Sequence, residues 1–243
     1  MKDDFEAQKA ENIRKLGERQ DLIDLSNHWL VEVCKLNYSY HFTWMGLPII
    51  QFPQDMIAMQ EIIWSCKPDL IIETGIARGG SLIYYASLLQ LVGEGGRILG
   101  IDVDIRPDNR AAIESHPTFG QVTMIEGSSV DPAILEQVCK RASEAERVMV
   151  VLDSNHTHNH VLEELRLYSP LVTKGSYLVV FDTVIEDMPG DFFPDRPWGK
   201  GNNPRTAVHA FLETSGRFEI DRSIDAKLQI TVARDGYLRC VSD

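Results

Sequence analysis

Three acidic residues, Glu73, Asp102 and Asp153, each come directly after a run of mostly apolar residues. Such runs are typical of strands buried in a parallel sheet. Because the carboxyl ends of parallel strands meet at one edge of a doubly wound sheet, where ligands bind, we expect these carboxylates to lie close together. A cluster of carboxylates favours a ligand that carries positive charge.

A glycine-rich turn follows the first of these runs and opens a helical pattern. Its glycines, Gly75, Gly79 and Gly80, have the spacing G-x-x-x-G-G. A dinucleotide pyrophosphate is typically bound by G-x-G-x-x-G, so this spacing fits such a ligand poorly. S-adenosylmethionine has no phosphate but carries an ammonium and a sulfonium, which strand-end acids would offset. We therefore predict S-adenosylmethionine as the cofactor, with Gly75, Gly79 and Ser81 in its binding turn; an NAD-dependent oxidoreductase is the alternative on the same fold.

A second group of polar residues follows the later apolar runs. Asp153 and Asp182 end two strands predicted to be neighbours, and oxygen ligands of this kind suit Mg²⁺ or another divalent cation. The alternative is that both acids only cap loops or helices. His156 comes three residues after Asp153 and could act as a general base near neutral pH. His158 and His160 are interpreted as solvent-facing residues at a helix start.

The elements that must position these residues alternate between strand and helix from residue 69 onward. This pattern predicts an α/β fold with a doubly wound, mostly parallel, seven-stranded Rossmann-like sheet. Strands are predicted over 69–73, 97–101, 121–125, 147–152, 176–181, 217–221 and 227–233, and helices near 80–91, 107–115, 131–142, 158–168 and 204–214. We expect residues 1–50 to form an N-terminal helical extension with an aromatic segment, and residues 51–243 to form the cofactor-binding domain.

The segment from 183 to 203 is long for a connection in a compact domain, and such loops are commonly lids or binding loops. We expect it to cover the substrate. Trp198 and Tyr40 could stack on the apolar face of a sugar, while Arg196, Glu186 and Asp187 could hydrogen-bond its hydroxyls. The alternative is that the aromatic residues are core or oligomer contacts.

The composition of the chain limits its partners. A formal net charge of -12 argues against nucleic-acid or anionic-membrane partners, which need clustered Lys and Arg. A small-molecule or glycan acceptor is expected instead. The four cysteines are scattered, and the N-terminus is charged where a signal peptide would be apolar, so a cytoplasmic protein is expected. The amphipathic N-terminal helices suit either a lid or a homo-oligomer contact.

Four short motifs carry a resemblance to a known family. They are Glu73-Thr-Gly75, Asp102-Val-Asp104, Leu152-Asp-Ser-Asn-His156 and Val180-Phe-Asp-Thr183, the last continuing to Met188-Pro189. Their order resembles the cephalosporin hydroxylase family over residues 38–233. That family is similar to class I S-adenosylmethionine-dependent methyltransferases and includes rhamnosyl and other sugar O-methyltransferases. The resemblance therefore implies transfer of a methyl group to a hydroxyl of a sugar or a glycosylated natural product.

The same resemblance implies roles for single residues. Glu73 and Gly75 would line the methionine part of the cofactor, and Asp102 would hold its ribose hydroxyls. Ser128 would lie near the adenine, and Asp153 would stand between cofactor and metal.

One position departs from the family pattern. Related proteins tend to have two acidic or amide residues in succession where this chain has Phe181 and then Asp182. Either Asp153 and Asp182 suffice as metal ligands with water, or Glu186 or Asp187 supplies another. An iron oxygenase is a further alternative, but the sequence offers no convincing set of two histidines and one carboxylate. The alternative from another class is a non-catalytic scaffold that keeps the cofactor fold.

Overall fold

The computed structural model of the protein describes residues 2–243. Its helices are α1 Lys2–Gly17, α2 Gln20–Cys34, α3 Pro53–Cys66, α4 Gly80–Val92, α5 Pro107–Glu114, α6 Pro132–Ala142, α7 His158–Tyr168, α8 Pro204–Leu212 and α9 Arg222–Leu228. Its strands are β1 Phe42–Trp44, β2 Leu47–Ile49, β3 Leu70–Thr74, β4 Arg97–Asp102, β5 Val122–Glu126, β6 Val148–Leu152, β7 Tyr177–Val180, β8 Phe218–Ile220 and β9 Tyr237–Cys240. Short 3₁₀ turns complete the connections.

The main sheet contains seven strands in the order β5-β4-β3-β6-β7-β9-β8. The first five are parallel, whereas β9 is inserted antiparallel between β7 and β8. This confirms the predicted doubly wound, mostly parallel sheet. Because β3 is the strand at which the order reverses, the carboxyl ends of β3, β4 and β6 frame the ligand-binding crevice of the fold.

The central strands are apolar on both faces because helices cover both sides of the sheet. Every residue of β3 and β6 is buried, and the residues of β3 alternate between two separate cores. Ile71 packs on the side of α3 and α4, while Ile72 packs on the side of α6 and α7. This two-sided burial, rather than a strict polar alternation, is the expected signature of a parallel sheet.

The predicted strand over 227–233 is wrong. The chain instead forms α9, which begins after the Asp221 cap, and then an irregular loop before β9. Asp55, fully buried on α3, holds this loop: its carboxylate accepts hydrogen bonds from the Val232 amide at 3.0 Å and from the Tyr237 hydroxyl at 2.7 Å. The Val232 amide is therefore hydrogen-bonded by a buried side chain and not by a neighbouring strand.

The N-terminal residues pack on two parts of the domain. Helix α1 lies against α9, with Gly17 close to Ala226. The aromatic segment forms the hairpin β1–β2, which lies on α4 through the Trp44 indole N–H donating to the Ser87 hydroxyl at 3.0 Å. Within residues 2–243, no helix combines the length and the apolar character that a membrane crossing requires.

Candidate active site

A cavity of about 1310 Å³ opens at the carboxyl edge of the sheet. It exceeds the usual 300 to 1,000 Å³ of a pocket for one small ligand, so it has room for a cofactor and an acceptor together. Its walls come from the glycine turn after β3, the ends of β4, β5, β6 and β7, the loop after β7 and the segment between α2 and α3. Most of the residues singled out from the sequence line it: Tyr40, Gly75, Gly79, Ser81, Asp102, Ser128, Asp153, His156, Asp182, Arg196 and Trp198.

The glycine turn is shaped by two close backbone contacts. Gly75 has φ +93°, and a Cβ atom there would lie 2.1 Å from the Asp153 carbonyl oxygen. At Gly80 a Cβ atom would lie 2.2 Å from the Pro48 carbonyl oxygen. Only glycine permits either approach. The turn is thus held between the end of β6 on one side and the hairpin segment on the other.

Asp102, the acid expected at the ribose, also fixes this turn. One of its carboxylate oxygens accepts hydrogen bonds from the amides of Ile76 at 2.8 Å and Ala77 at 3.1 Å. Ala77 has φ +47°, a left-handed conformation that is uncommon for a non-glycine residue and that these bonds support. The other oxygen accepts from the Asp104 amide at 3.2 Å, which leaves acceptor capacity on the side chain for a ligand.

Glu73 lies behind the cavity wall rather than in it. Its carboxylate accepts a hydrogen bond at 2.8 Å from the hydroxyl of Ser81, which does line the cavity. Glu73 is 1 % exposed, and burial raises the pKa of its carboxyl to about 8. The side chain therefore orients Ser81 and is mostly uncharged at neutral pH until a cation approaches.

Asp153, His156 and Asp182 form the polar centre of the cavity. One ligand atom of each lies within 4.8 Å of the others, and His156 Nε2 is 3.3 Å from Asp182 Oδ2. Burial, and next the nearby charge of Asp182, raise the pKa of the Asp153 carboxyl well above its usual range. Two carboxylates this close together repel each other, and a divalent cation would supply a counter-charge. The donor set fits such an ion.

The composition of this cluster bears on the alternatives. One imidazole and two carboxylates are the reverse of the two histidines and one carboxylate of non-haem iron oxygenases. Phe181 has no donor atom in its side chain and is 1 % exposed in the core, so it contributes no ligand. Asp182 has φ +55°. Such backbone strain in a non-glycine residue is concentrated at functional sites in proteins.

The loop after β7 reaches the cluster through Trp198. The Trp198 ring meets the His156 ring edge to face, with centroids 4.8 Å apart, and the Arg196 guanidinium lies 5.2 Å from the Trp198 centroid. These contacts place the loop beside His156 at the cavity wall. Trp198 is therefore already partly covered by His156 and Arg196.

Glu186 and Asp187, predicted to bind the acceptor, are not brought into the cavity. Glu186 accepts hydrogen bonds from the Gly201 amide at 2.8 Å and from the Asn203 side chain. Asp187 pairs with Arg205 at 2.9 Å and with Arg234 at 3.1 Å. Gly201 and Asn203 lie at the end of the loop, Arg205 lies on α8, and Arg234 lies between α9 and β9. The two acids therefore fix the shape of the loop, and the side chain that lies beside Asp153 and Asp182 is His156 instead.

His160 and Glu164 form a feature that the sequence interpretation missed. His160 was expected to face solvent, but it lines the cavity, with Nε2 3.2 Å from the Ser129 hydroxyl and 3.5 Å from a carboxylate oxygen of Glu164. Glu164 is fully buried and accepts from the Ser154 hydroxyl at 2.8 Å. The i,i+4 spacing of His160 and Glu164 on α7 was the available signal.

The strand order, with an antiparallel strand in sixth place, and the glycine turn at the reversal point define the class I methyltransferase fold. Comparison with known proteins gives the family within this class. The family model described as Rhamnosyl O-methyltransferase/CmcI matches residues 36–241. The chain belongs to this family.

Curated relatives and solved structures agree with this assignment. Rhamnosyl O-methyltransferase of Mycobacterium tuberculosis (strain ATCC 25618 / H37Rv) is 35% identical over 199 residues, covering 81% of this chain and 77% of the relative. The Mycobacterium leprae protein of the same name is 33% identical over 198 residues, covering 81% and 82%. A structure of CmcI with Mg and SAM aligns with a TM-score of 0.59 and 18% identity over 84% of this chain and 78% of CmcI, which shows the shared fold.

Proposed function

We propose that this protein is an S-adenosylmethionine-dependent O-methyltransferase that methylates a hydroxyl of a sugar or a glycosylated natural product. The observation that carries the proposal is the convergence of Asp153, His156 and Asp182 beside the glycine turn, in one cavity large enough for two ligands. Two named relatives act, by their names, on rhamnosyl groups. A rhamnosyl hydroxyl is therefore the first acceptor to test.

The cofactor would bind along the edge of the sheet from the glycine turn to the end of β5. Gly75, Gly79 and Ser81 would surround its methionine part, and Asp102 would accept hydrogen bonds from the ribose hydroxyls. Ser128 lines the cavity after β5, where the adenine would lie. The strand ends fix the positions of these groups, and such preorganisation would orient the two reactants.

The reaction needs a hydroxyl oxygen in line with the methyl group and a destination for the hydroxyl proton. When bound, S-adenosylmethionine would supply the methyl group: the acceptor oxygen would form the new carbon–oxygen bond as the carbon–sulfur bond breaks, and the sulfur would keep that electron pair. His156 accepts the proton and passes it to solvent. Asp182, 3.3 Å from Nε2, orients the imidazole and stabilises it once it is charged.

Asp153 and Asp182 would hold a divalent cation such as Mg²⁺, with His156 at the same cluster. When bound, the cation would favour the ionised form of an acceptor hydroxyl. Asp153 would then take part in both halves of the site, because its backbone carbonyl contacts the glycine turn and its carboxylate belongs to the cluster. The net charge of -12 and the acidic cavity support a neutral or cationic small molecule, or a neutral glycan, over nucleic acid as the partner.

Calorimetric titration of the purified protein tests the cofactor. S-adenosylmethionine and NAD⁺ are each added with Mg²⁺ and then with a chelator. We expect binding of S-adenosylmethionine in the micromolar range and none of NAD⁺, with methyl transfer to a rhamnosylated acceptor lost in chelator. Binding of NAD⁺ alone would replace the proposal with an oxidoreductase, and binding of neither ligand would favour a scaffold.

The role of His156 has a separate test in steady-state kinetics. His156→Ala should lower kcat by about 100-fold, the usual contribution of a general base, and should leave the affinity for S-adenosylhomocysteine within about twofold. His209→Ala is the control, because His209 pairs with Asp235 away from the cavity. Turnover of His156→Ala close to that of the wild type would remove His156 from the mechanism.

The cytoplasmic location and a homo-oligomer formed through the N-terminal helices are further parts of the proposal. Phe5 on α1 is 64% exposed, and burying its ring against a second copy would remove apolar surface from water. Light scattering on the purified protein and on a variant with Phe5→Ser tests the oligomer. A mass unchanged by the substitution would exclude Phe5 from the contact.

A further inference from the structure

His160 is held at the cavity wall by three oxygen atoms that all lie near one nitrogen of its ring. Its Nε2 atom is 3.2 Å from the Ser129 hydroxyl, 3.3 Å from the Ser154 hydroxyl and 3.5 Å from Glu164 Oε1. The Ser154 hydroxyl donates to the same Glu164 oxygen at 2.8 Å, so its own lone pairs remain free to accept. A carboxylate and a hydroxyl acceptor beside Nε2 place the ring hydrogen on that atom.

The other ring nitrogen of His160, Nδ1, is left for a ligand. It makes no hydrogen bond with the residues that the structure describes, and it is not one of their buried atoms enclosed without a partner. The side chain is 22% exposed, and the residue lines the cavity. When Nε2 carries the hydrogen, Nδ1 of the neutral ring is an acceptor. The ligand group that meets it must therefore be a hydrogen-bond donor.

The neighbours of His160 indicate which part of a ligand it meets. Ser128 and Ser129 line the cavity just after β5, where the proposed function puts the adenine. The Tyr168 hydroxyl donates to the Ser129 carbonyl oxygen at 2.8 Å, so both Tyr168 and His160 join this stretch to α7. His160 therefore lies beside the segment that the base would contact.

The carboxylates at the two ends of that stretch are already engaged. Glu126 accepts a hydrogen bond from Arg110 at 2.9 Å, and Asp131 caps α6 by accepting from the Ala133 amide at 2.8 Å. Neither acid lines the cavity, whereas His160 does. Adenine presents an exocyclic amino group, which is a donor. The imidazole thus supplies an acceptor that these two acids do not.

We propose that His160 recognises the base of the cofactor, accepting a hydrogen bond at Nδ1 from the exocyclic amino group of the adenine. The inference rests on the proposed function, since it takes S-adenosylmethionine as the ligand. It gives His160 a role in base specificity, separate from the proton transfer assigned to His156. It also explains why the fully buried Glu164 stands behind a histidine of the cavity wall, because the carboxylate fixes which ring nitrogen carries the hydrogen.

Two ligands that differ only in the base provide the test. S-adenosylhomocysteine has an amino group on its base, whereas S-inosylhomocysteine has an oxygen acceptor at the same position, which would face Nδ1 unfavourably. His160→Phe keeps a ring and removes the acceptor. His158→Phe is the matched control, because His158 begins the same helix but contacts the Thr206 hydroxyl at 2.8 Å and does not line the cavity.

In calorimetry, the wild type should bind S-adenosylhomocysteine at least tenfold more tightly than S-inosylhomocysteine. His160→Phe should weaken S-adenosylhomocysteine about tenfold and change S-inosylhomocysteine less than twofold, so the preference should disappear. His158→Phe should keep the preference. In kinetics, His160→Phe should raise KM for S-adenosylmethionine about tenfold and leave kcat within about twofold.

A second variant separates loss of the acceptor from disturbed packing. In His160→Asn the amide oxygen can take the place of Nδ1, so this variant should keep part of the preference for the adenine base. If it keeps none, the effect of His160→Phe is one of packing and the assignment is overturned.

The remaining outcomes separate this inference from the proposed function. If His160→Phe weakens both ligands equally, or if the wild type binds both equally, the assignment of His160 is overturned while the function stands. A wild type that prefers S-inosylhomocysteine would show that Nδ1 donates, which also overturns the assignment. If the wild type binds neither ligand, the proposed function fails and the inference fails with it.

Discussion

The two halves of the cavity are built in different ways. The cofactor half is made of strand ends and the turn that follows β3, and its parts are held by backbone contacts such as those of Gly75 and Asp102. The acceptor half is made of the loop after β7 and the segment between α2 and α3. Its shape depends on side-chain pairs, chiefly Asp187 with Arg205 and Trp198 with His156.

The cofactor half should therefore be the more rigid of the two, and the acceptor half the more adaptable. A site on strand ends suits a ligand that is the same in every reaction, because the sheet fixes its geometry. A loop held by ion pairs can be reshaped by a few substitutions without disturbing the core, and loops are where binding specificity usually resides. We therefore expect changes in the first half to affect the cofactor and changes in the second to affect the acceptor.

The largest effect is expected where the two halves meet, at Asp153. Asp153→Asn removes a carboxylate from the cluster while keeping its size, so kcat should fall by roughly a thousandfold. Because burial holds the pKa of Asp153 well above its usual range, its ionised form is unfavourable in the fold. The variant should therefore melt at the same temperature as the wild type or higher.

Asp108→Asn, at an exposed position on α5, is the control for this change. A loss of activity in Asp153→Asn that is accompanied by a lower melting temperature would indicate a structural role for Asp153. Activity close to that of the wild type would remove it from the reacting centre.

The next effect concerns the cofactor half alone. Gly75→Ala forces a Cβ atom toward the Asp153 carbonyl oxygen in a left-handed conformation, so the turn must shift. We expect the affinity for S-adenosylhomocysteine to fall by about 100-fold, measured by calorimetry. Gly190→Ala, where nothing lies within 4 Å of the added atom, should bind normally. Equal affinities in the two variants would show that the turn does not position the cofactor.

A change in the acceptor half should affect the acceptor and leave cofactor binding unchanged. Asp187→Asn breaks the pairs with Arg205 and Arg234, and these groups are only 11% to 23% exposed, so the loop should loosen. KM for the acceptor should rise about tenfold, while the affinity for S-adenosylhomocysteine stays within twofold. Asp195→Asn, at an exposed position of the same loop, is the control. A parallel loss of cofactor affinity would mean that the two halves are not independent.

The same division decides what could be predicted from the sequence. Glu73, Asp102 and Asp153 could be placed at the ends of strands because two-sided burial leaves an apolar run with an unmistakable end. The glycine turn was visible for a similar reason, since Gly75 is required by a backbone contact. These signals depend only on neighbouring residues in the chain, and the parallel sheet then places every strand end at the same edge.

The signals that failed depend on residues distant in the chain. Residues 227–233 have the composition of a strand, but Asp55 on α3 holds the Val232 amide and the segment stays irregular. Glu186 and Asp187 were placed in the correct loop, yet Asn203, Arg205 and Arg234 engage them before any acceptor can. The sequence does not show which carboxylates a folded loop has already paired.

The smallest effect is expected at Glu73. It tests whether this carboxyl is protonated in the folded protein when no ligand is bound. Burial raises the pKa of its carboxyl to about 8 from a usual value near 4.5. Between these values the folded protein binds a proton that the unfolded chain does not, so the contribution of Glu73 to stability falls as pH rises through this window. Glu73→Gln cannot ionise and lacks this loss.

From about pH 5 to about pH 8, the melting temperature of the wild type should therefore fall a few degrees more than that of Glu73→Gln. Asp55, whose pKa burial raises to about 6, contributes equally to both proteins and cancels in the difference. Glu219→Gln, at an exposed site on β8, should follow the wild type. If the melting curves of Glu73→Gln and the wild type stay parallel with pH, Glu73 is already ionised in the folded protein. Its counter-charge must then come from the protein and not from a bound cationic cofactor.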